Sequence, residues 1–497
     1  MRSEAMGPRR RSMVVTAGLF VFTFLFYYWC NAHTFVIPSI DGPYYLIEVK
    51  GILSNGAMIY ADPPLTFYVF ALIAAVIRSV ESSVIAGSAL FAAGTSVAVY
   101  ILLKSIFKSE LPAIGAAIAS AVAPEHIALS TNLIKNSVGV LFIVGMVYFL
   151  QRTMNPETKM RWNAIGVMGL FYLAMLTHVL DQGVALLFMA GYFVFAIALT
   201  KKRLIMSYGS FLLVALLSTV VGYLLFPDYF GDFEKGLVFV SDITSATSGA
   251  AAIGGGAPPG GGVSNPLLVL FLGAGLLLTA YEWVRGNRER SGLIGMATVI
   301  GALLVLPIIP SDFAWRFEAM EFIPVSIIVG YALASLKGRG LVVLALIILL
   351  SPLALLGYQT ATSLSPTVSV QGYSELEKMA TVVGNRSVLI IEGGGMAYWP
   401  QYVLGLPVVT NATQWLGKGY TVYVLVGSQG GAGPGNSGTG APAAQGPPNQ
   451  QPSDGGAGPG VGGPGGQGSL PGVSTPGLNT ANLTLVYQGS VYSLYKY

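Results

Sequence analysis

Residues 31–78 read NAHTFVIPSIDGPYYLIEVKGILSNGAMIYADPPLTFYVFALIAAVIR. This stretch follows a first long apolar run, Met13–Trp29, and ends by opening a second apolar segment. It holds an acid, Asp41, a tyrosine pair, Tyr44 and Tyr45, a turn at Gly56, and a proline pair, Pro63 and Pro64. The segment Leu65–Val76 is apolar but has only about twelve residues, where roughly 20 are needed to cross a bilayer. It predicts a helix lying along the membrane or re-entering it, and the whole stretch becomes one loop. A carboxylate held beside a membrane is costly unless it has a task or a partner. Asp41 is therefore the first site candidate.

Outward from this loop, the chain reads as a polytopic α-helical membrane protein. Of its 497 residues, 53% are hydrophobic and 10% charged, against roughly 25% charged in soluble domains. The predicted spans are Met13–Trp29, Val84–Leu103, Leu111–Ala123, Val138–Leu150, Trp162–Thr177, Gly183–Leu199, Ile205–Phe226, Pro266–Trp283, Gly292–Ile309, Phe322–Leu336 and Leu341–Gly357. Leu111–Ala123 and Val138–Leu150 are short, and their helices are expected to extend into residues such as Glu125 to Asn136. About eleven spans with the N-terminus inside place most of the 26 basic residues in the inner segments, as the positive-inside rule requires. If Leu65–Val76 crossed, every later loop would invert against that rule. Arg9–Arg11 before the first span read as a retained signal anchor, with cleavage as the alternative.

The expected organisation is a transmembrane domain over residues 1–357, with a first outer loop at 31–83 and a long outer loop at 227–265. A soluble extracytoplasmic α/β domain over 358–497 follows. Ser387–Glu392, Tyr420–Val426, Leu483–Tyr487 and Val491–Tyr495 read as its strands and Glu375–Val383 as a helix. Residues 427–480, rich in Gly, Pro, Gln and Ser, read as a disordered insertion. Sequons start at Asn385, Asn411 and Asn482. The single cysteine, Cys30, excludes an internal disulfide. There is no Walker, EF-hand, HExxH or CxxC motif and no basic patch for nucleic acid. The expected location is the plasma membrane.

The order of anchor, Asp with Tyr-Tyr, Gly, Pro-Pro-Leu helix, many spans and outer domain resembles the GT-C integral-membrane glycosyltransferases. The likeness is narrower to the protein O-mannosyltransferases and lipid A aminoarabinose transferases. Asp41 and Tyr45, Leu53 and Gly56, and Pro63, Pro64 and Leu65 match that family's first-loop pattern. Gly42 stands where a second acid is usual, and Asp62 where Lys or His is usual. The resemblance implies an inverting transfer of a sugar from a polyprenyl (dolichyl) phosphate donor at the outer face to a lipid or protein acceptor. A divalent metal, Mg or Mn, with Asp41 and Glu125 as ligands is left open.

Inverting transfer needs a base, stabilisation of the departing phosphate, and exclusion of water. Asp41 is the base candidate; it also suits the N-cap of a helix starting at Gly42–Pro43. Arg316 is the phosphate candidate because its planar fork matches phosphate oxygens, and a salt bridge with Asp312 or Glu318 is its structural alternative. Lys135 is a second candidate cation. Tyr44 and Tyr45, and Glu125 with His126, complete the candidate substrate-binding set; a helix cap at Pro124–Glu125 is the plainer reading of that pair. His178 and Asp181 read as a local pair at a span end, and Tyr27, Tyr28 and Trp29 as an interface belt. Gly393–Thr413 reads as a loop between strands. An oligosaccharyltransferase-like catalytic subunit and a non-enzymatic transporter or scaffold are the competing functions.

Overall fold

The computed structural model describes residues 8–39, 41–230, 267–305, 311–392, 398–409, 412–427 and 483–497. The expectations for the long loop at 227–265 and the insertion at 427–480 fall almost wholly outside these residues, as do the sequons at Asn411 and Asn482.

Each expected span coincides with a helix or a helix pair. The first is α1 (Pro8–Ala32). The first loop then supplies α2 (Gly42–Asn55) and α3 (Leu65–Ile77). The bundle continues with α4 (Val80–Phe107), α5 (Glu110–Val122), α6 (Pro124–Asn132), α7 (Ile134–Thr153) and α8 (Met160–Met175). It goes on through α9 (Val179–Ala198), α10 (Lys202–Leu225), α11 (Leu267–Val284), α12 (Arg288–Leu304), α13 (Ser311–Glu318), α14 (Phe322–Ser335) and α15 (Arg339–Ser363). Among the described residues, eight helices are long and apolar enough to cross a membrane, and the bent pair α5–α6 makes a ninth. The two other expected spans fall on α8, of 16 residues, and α12, of 17. Aliphatic side chains on α10, α11 and α15, such as Leu217, Leu277 and Ile348, are exposed, as lipid-facing helices require.

The break between α5 and α6 follows from one residue. Pro124 cannot donate a backbone N–H and disfavours helical geometry at the residue before it. Ala123 is accordingly extended, at φ −63° and ψ 130°, and the two helices meet at 50°. The extension expected beyond Ala123 thus takes the form of a separate helix. Packing against this break is close: a Cβ on Gly357 of α15 would lie 2.2 Å from the Val122 carbonyl oxygen. Tyr27 corrects the interface-belt expectation. It is fully buried and donates to the Ala121 carbonyl at 2.9 Å, whereas Tyr28 and Trp29 are exposed.

In the first loop, Gly56 ends α2 with φ 76°, the left-handed conformation that glycine adopts without penalty. The chain doubles back, and α3 begins where Leu65 N–H donates to the Leu176 carbonyl at the end of α8 (3.0 Å). At 13 residues, α3 is as short as its sequence implies.

The C-terminal part forms α16 (Val370–Ala380), β1 (Ser387–Glu392), α17 (Tyr398–Leu404), α18 (Thr413–Leu416), β2 (Thr421–Gly427), β3 (Thr484–Gln488) and β4 (Tyr492–Lys496). The sheet order is β1-β2-β4-β3, parallel between β1 and β2 and antiparallel elsewhere. All four strands lie within a residue of their expected positions. The helix starts earlier than expected because Ser369 caps it, accepting from Gly372 N–H. Glu375 ties α16 to the sheet by accepting from the backbone N–H groups of Ser490, Val491 and Tyr492. Burial raises its pKa, but those bonds and that from the Ser490 hydroxyl together outweigh burial and lower it. The same apolar cluster contains Tyr44, Tyr45, Phe67 and Phe70 from the first loop and Trp399, Leu404, Leu425 and Leu494 from the C-terminal part. The first loop and the sheet region therefore share one core.

Candidate active site

The site is built on α2. Asp41 occupies the N-cap position with Gly42 and Pro43 opening the helix, but its side chain makes no capping hydrogen bond; only its carbonyl accepts, from Tyr45 N–H (3.2 Å). The capping explanation thus accounts for the position and leaves the carboxylate to other partners. Gly42 has no room for a side chain: a Cβ there would meet Ile37 Cγ2 at 2.5 Å and Ser39 Cβ at 3.2 Å.

The return from α2 to α3 is fixed by a buried acid that the sequence reading did not single out. Glu48 accepts from Ile59 N–H at 2.8 Å and Tyr60 N–H at 2.9 Å. These bonds hold the segment that delivers Asp62. Asp62 Oδ2 accepts from the Tyr44 hydroxyl (2.7 Å) and forms an ion pair with Lys135 Nζ. Lys135 arrives from the start of α7, just past Leu133, which separates α6 from α7 at φ −117° and ψ 59°, and its backbone N–H donates to the Tyr45 hydroxyl (2.9 Å). Its ammonium lies 5.6 Å from the Tyr44 ring centre and 5.8 Å from that of Phe67, within cation–π range. Removing one partner of a buried pair costs about 3–5 kcal/mol, so Lys135 and Asp62 also hold the loop together.

Burial pushes Glu48 up to about 7, against the two N–H bonds that favour its charged form. A carboxyl whose folded pKa lies above its unfolded value contributes stability at low pH that is lost as pH rises through the folded pKa. Wild-type melting temperature should therefore fall between about pH 5 and 8, and Glu48→Gln, which cannot ionise, should flatten that part of the profile. Thermal melts across the range test this; superimposable profiles would contradict it.

Asp41 is partly exposed yet densely surrounded, and burial raises its pKa; Lys135 and Arg316 act to lower it and Asp62 to raise it. Arg316 comes from α13, its guanidinium carbon 5.6 Å from the Trp315 ring centre. One further acid and two cations thus act on Asp41. Tyr398, from α17, lies 5.5 Å from Tyr44 and 6.5 Å from Tyr60, ring to ring. Burial raises its phenol pKa, with Asp41, Tyr60 and Asp62 adding to the rise. Beside it, the Tyr60 hydroxyl donates to Gln401 Oε1 at 2.6 Å. The loop expected over Gly393–Thr413 contains a helix that packs on α2; residues 393–397 and 410–411 lie outside the described residues.

The structure therefore gathers Asp41, Tyr44, Tyr45, Lys135 and Arg316. The two tyrosines are buried and hold Asp62 and Lys135 in place. Glu125 and His126 fall elsewhere. His126 stacks on Phe322 at 4.3 Å and its Nδ1 is bonded to the Ser120 carbonyl. Glu125, Glu321 and Ser120 line a cavity of about 20 Å³, room for one water. None of the residues around Asp41 lines it. His178 and Asp181 do not form the expected local pair: Asp181 is bonded to Asn136 and Thr177, while His178 Nδ1 accepts from Leu180 N–H.

Among the described residues, no three His, Cys, Asp or Glu side chains gather so as to share a metal ion. Around Asp41 the charged neighbours include Lys135 and Arg316, a donor set that does not fit a divalent cation.

Residues 61–223, about a third of the chain, match the family model for dolichyl-phosphate-mannose-protein mannosyltransferase. No curated protein matches significantly. ArnT from Cupriavidus metallidurans bound to undecaprenyl phosphate superposes with a TM-score of 0.61 at 12% identity, over 97% of each chain. The chain has the GT-C fold. Other solved GT-C structures resemble it as well. The Archaeoglobus fulgidus oligosaccharyltransferase in complex with Zn and sulfate matches with a TM-score of 0.55 at 14% identity, over 84% of this chain and 68% of that one. The same organism's AglB with an inhibitory peptide and a dolichol-phosphate matches with a TM-score of 0.53 at 14% identity, over 83% and 69%. Within the GT-C fold of this chain, the cluster draws Asp41 from the start of α2, Asp62 from the return to α3, Lys135 from the start of α7 and Arg316 from α13.

Proposed function

We propose that this protein is a membrane glycosyltransferase that moves a sugar from a polyprenyl-phosphate donor to a lipid or protein acceptor at the outer membrane face. The observation that carries the reading is Asp41, a carboxylate on which Lys135 and Arg316 both act. In this reading the N-terminus is inside, the first loop and the C-terminal sheet are outside, and about eleven spans cross. Asp41 takes the proton of the acceptor group as its oxygen or nitrogen attacks C1 of the sugar. The bond from C1 to the phosphate oxygen breaks on the opposite face, inverting the anomeric centre. The leaving phosphate gains charge, which Arg316 and Lys135 receive.

The raised pKa suits a base: burial strengthens its pull on a proton, while the two cations keep the ionised form available. The dolichyl-phosphate-mannose family match favours a single-sugar polyprenyl-phosphate donor. The ArnT that this chain fits over nearly all of both chains is bound to undecaprenyl phosphate, which supports the polyprenyl-phosphate part of that reading.

The test is transfer by the full-length protein reconstituted in lipid vesicles, with a panel of labelled polyprenyl-phosphate sugars and native lipid and protein acceptors. Label should appear on an acceptor with the anomer inverted. Absence of transfer from every donor would favour a scaffold or transporter, and loss of transfer on chelation would favour an oligosaccharyltransferase-like centre.

A further inference from the structure

We propose that the Asp62–Lys135 ion pair is a latch that the donor phosphate opens, and that the released Asp62 is the second carboxylate of the site. This rests on the polyprenyl-phosphate reading above. Both partners are nearly buried, with side-chain exposures of 8% for Asp62 and 12% for Lys135. Their anchoring is unequal. Asp62 is held by the Tyr44 hydroxyl and sits just before Pro63 and Pro64, on a segment fixed by Glu48. The Lys135 ammonium ends a flexible stem of four methylenes, and its other close neighbours are the faces of Tyr44 and Phe67. When an anion with more oxygens than a carboxylate enters, the lysine swings and the aspartate stays.

The charge balance gives the latch its timing. A sugar–phosphate–prenyl donor is a phosphodiester with one negative charge; the departing polyprenyl phosphate carries up to two. Lys135 is drawn from Asp62 more strongly as the C1–oxygen bond breaks, so its attraction grows toward the transition state. Asp62 then loses the Lys135 ammonium as Asp41 gains the acceptor proton, and the charge on Asp62 favours the protonated form of Asp41. No acid at position 42 can take this part, because Gly42 has no space for a Cβ.

The experiment compares binding of undecaprenyl phosphate to full-length wild type, Asp62→Asn and Lys135→Met in detergent by native mass spectrometry, alongside kcat and melting temperature. Asparagine keeps an oxygen for Tyr44 but cannot hold an ammonium ion. Asp62→Asn should bind the lipid phosphate roughly tenfold more tightly, the scale of one charge-assisted contact, while kcat falls at least tenfold. Lys135→Met should bind it more weakly. If Asp62 merely props Lys135 in place, Asp62→Asn will bind more weakly than wild type, and the latch is wrong. Wild type that binds and transfers with unchanged affinity in Asp62→Asn also overturns the latch alone. Wild type that binds no undecaprenyl phosphate overturns both the latch and the donor reading.

Discussion

Asp41→Asn is expected to lower kcat by about 10²–10⁴-fold, the usual contribution of a positioned base, with little change in donor affinity. Asparagine matches the carboxylate in shape and cannot accept a proton at neutral pH. Since Asp41 makes no capping bond, α2 should keep its start and the variant should fold. The sign of the pH effect follows from the raised pKa. The carboxyl contributes stability at low pH that is lost as pH rises through its folded pKa, so Asp41→Asn should be no less stable than wild type near neutrality. Wild-type kcat should rise with pH across the same window as the base ionises. Steady-state assays and melting curves of both proteins check this; a variant that folds and retains wild-type turnover would remove Asp41 from the chemistry.

Arg316→Gln should be the next most damaging change, lowering kcat by about 10²–10³-fold, the cost of losing one donor to developing negative charge. The guanidinium presents a rigid fork that fits phosphate oxygens bidentately, and Trp315 supports it from one side. Lysine at this position keeps the charge without the fork, so Arg316→Lys should recover only part of the loss. The removed cation also lowers the pKa of Asp41 in the wild type; Arg316→Gln should therefore shift the rising limb of the kcat–pH profile to higher pH. A fall in kcat with no shift of that limb would mean that Arg316 serves the phosphate alone. Unchanged kcat would return it to a structural ion pair.

Much of the fold was legible because hydropathy and period are local signals. The spans, the short α3 and all four strands lie close to where runs of apolar residues and turn residues place them. The α5–α6 break was announced by Pro124. Ser369 marks the start of α16 at Val370, although the helical pattern is strongest further on. The site was legible as residue types but not as pairings. Asp62 reads as a lost cation until Lys135, 73 residues later in the chain, is found on it. Tyr60 and Gln401 meet across 341 residues, and nothing local announces such a contact. Tyr398–Leu404 reads as a loop because Pro400 sits inside a helix of only seven residues beside a glycine run. Glu125 and His126 enter the candidate set through the family resemblance; the bend at Pro124 carries them to face Phe322 and Glu321 instead.

The central claim is that Asp41 activates an acceptor against a polyprenyl-phosphate-linked sugar held by the two cations. Single-turnover release of polyprenyl phosphate tests it most directly, with wild type and Asp41→Asn each loaded with donor and then mixed with acceptor. Wild type should release one polyprenyl phosphate per protein, and Asp41→Asn should keep its donor bound and intact over the same time. Release by Asp41→Asn at the wild-type rate would contradict the account.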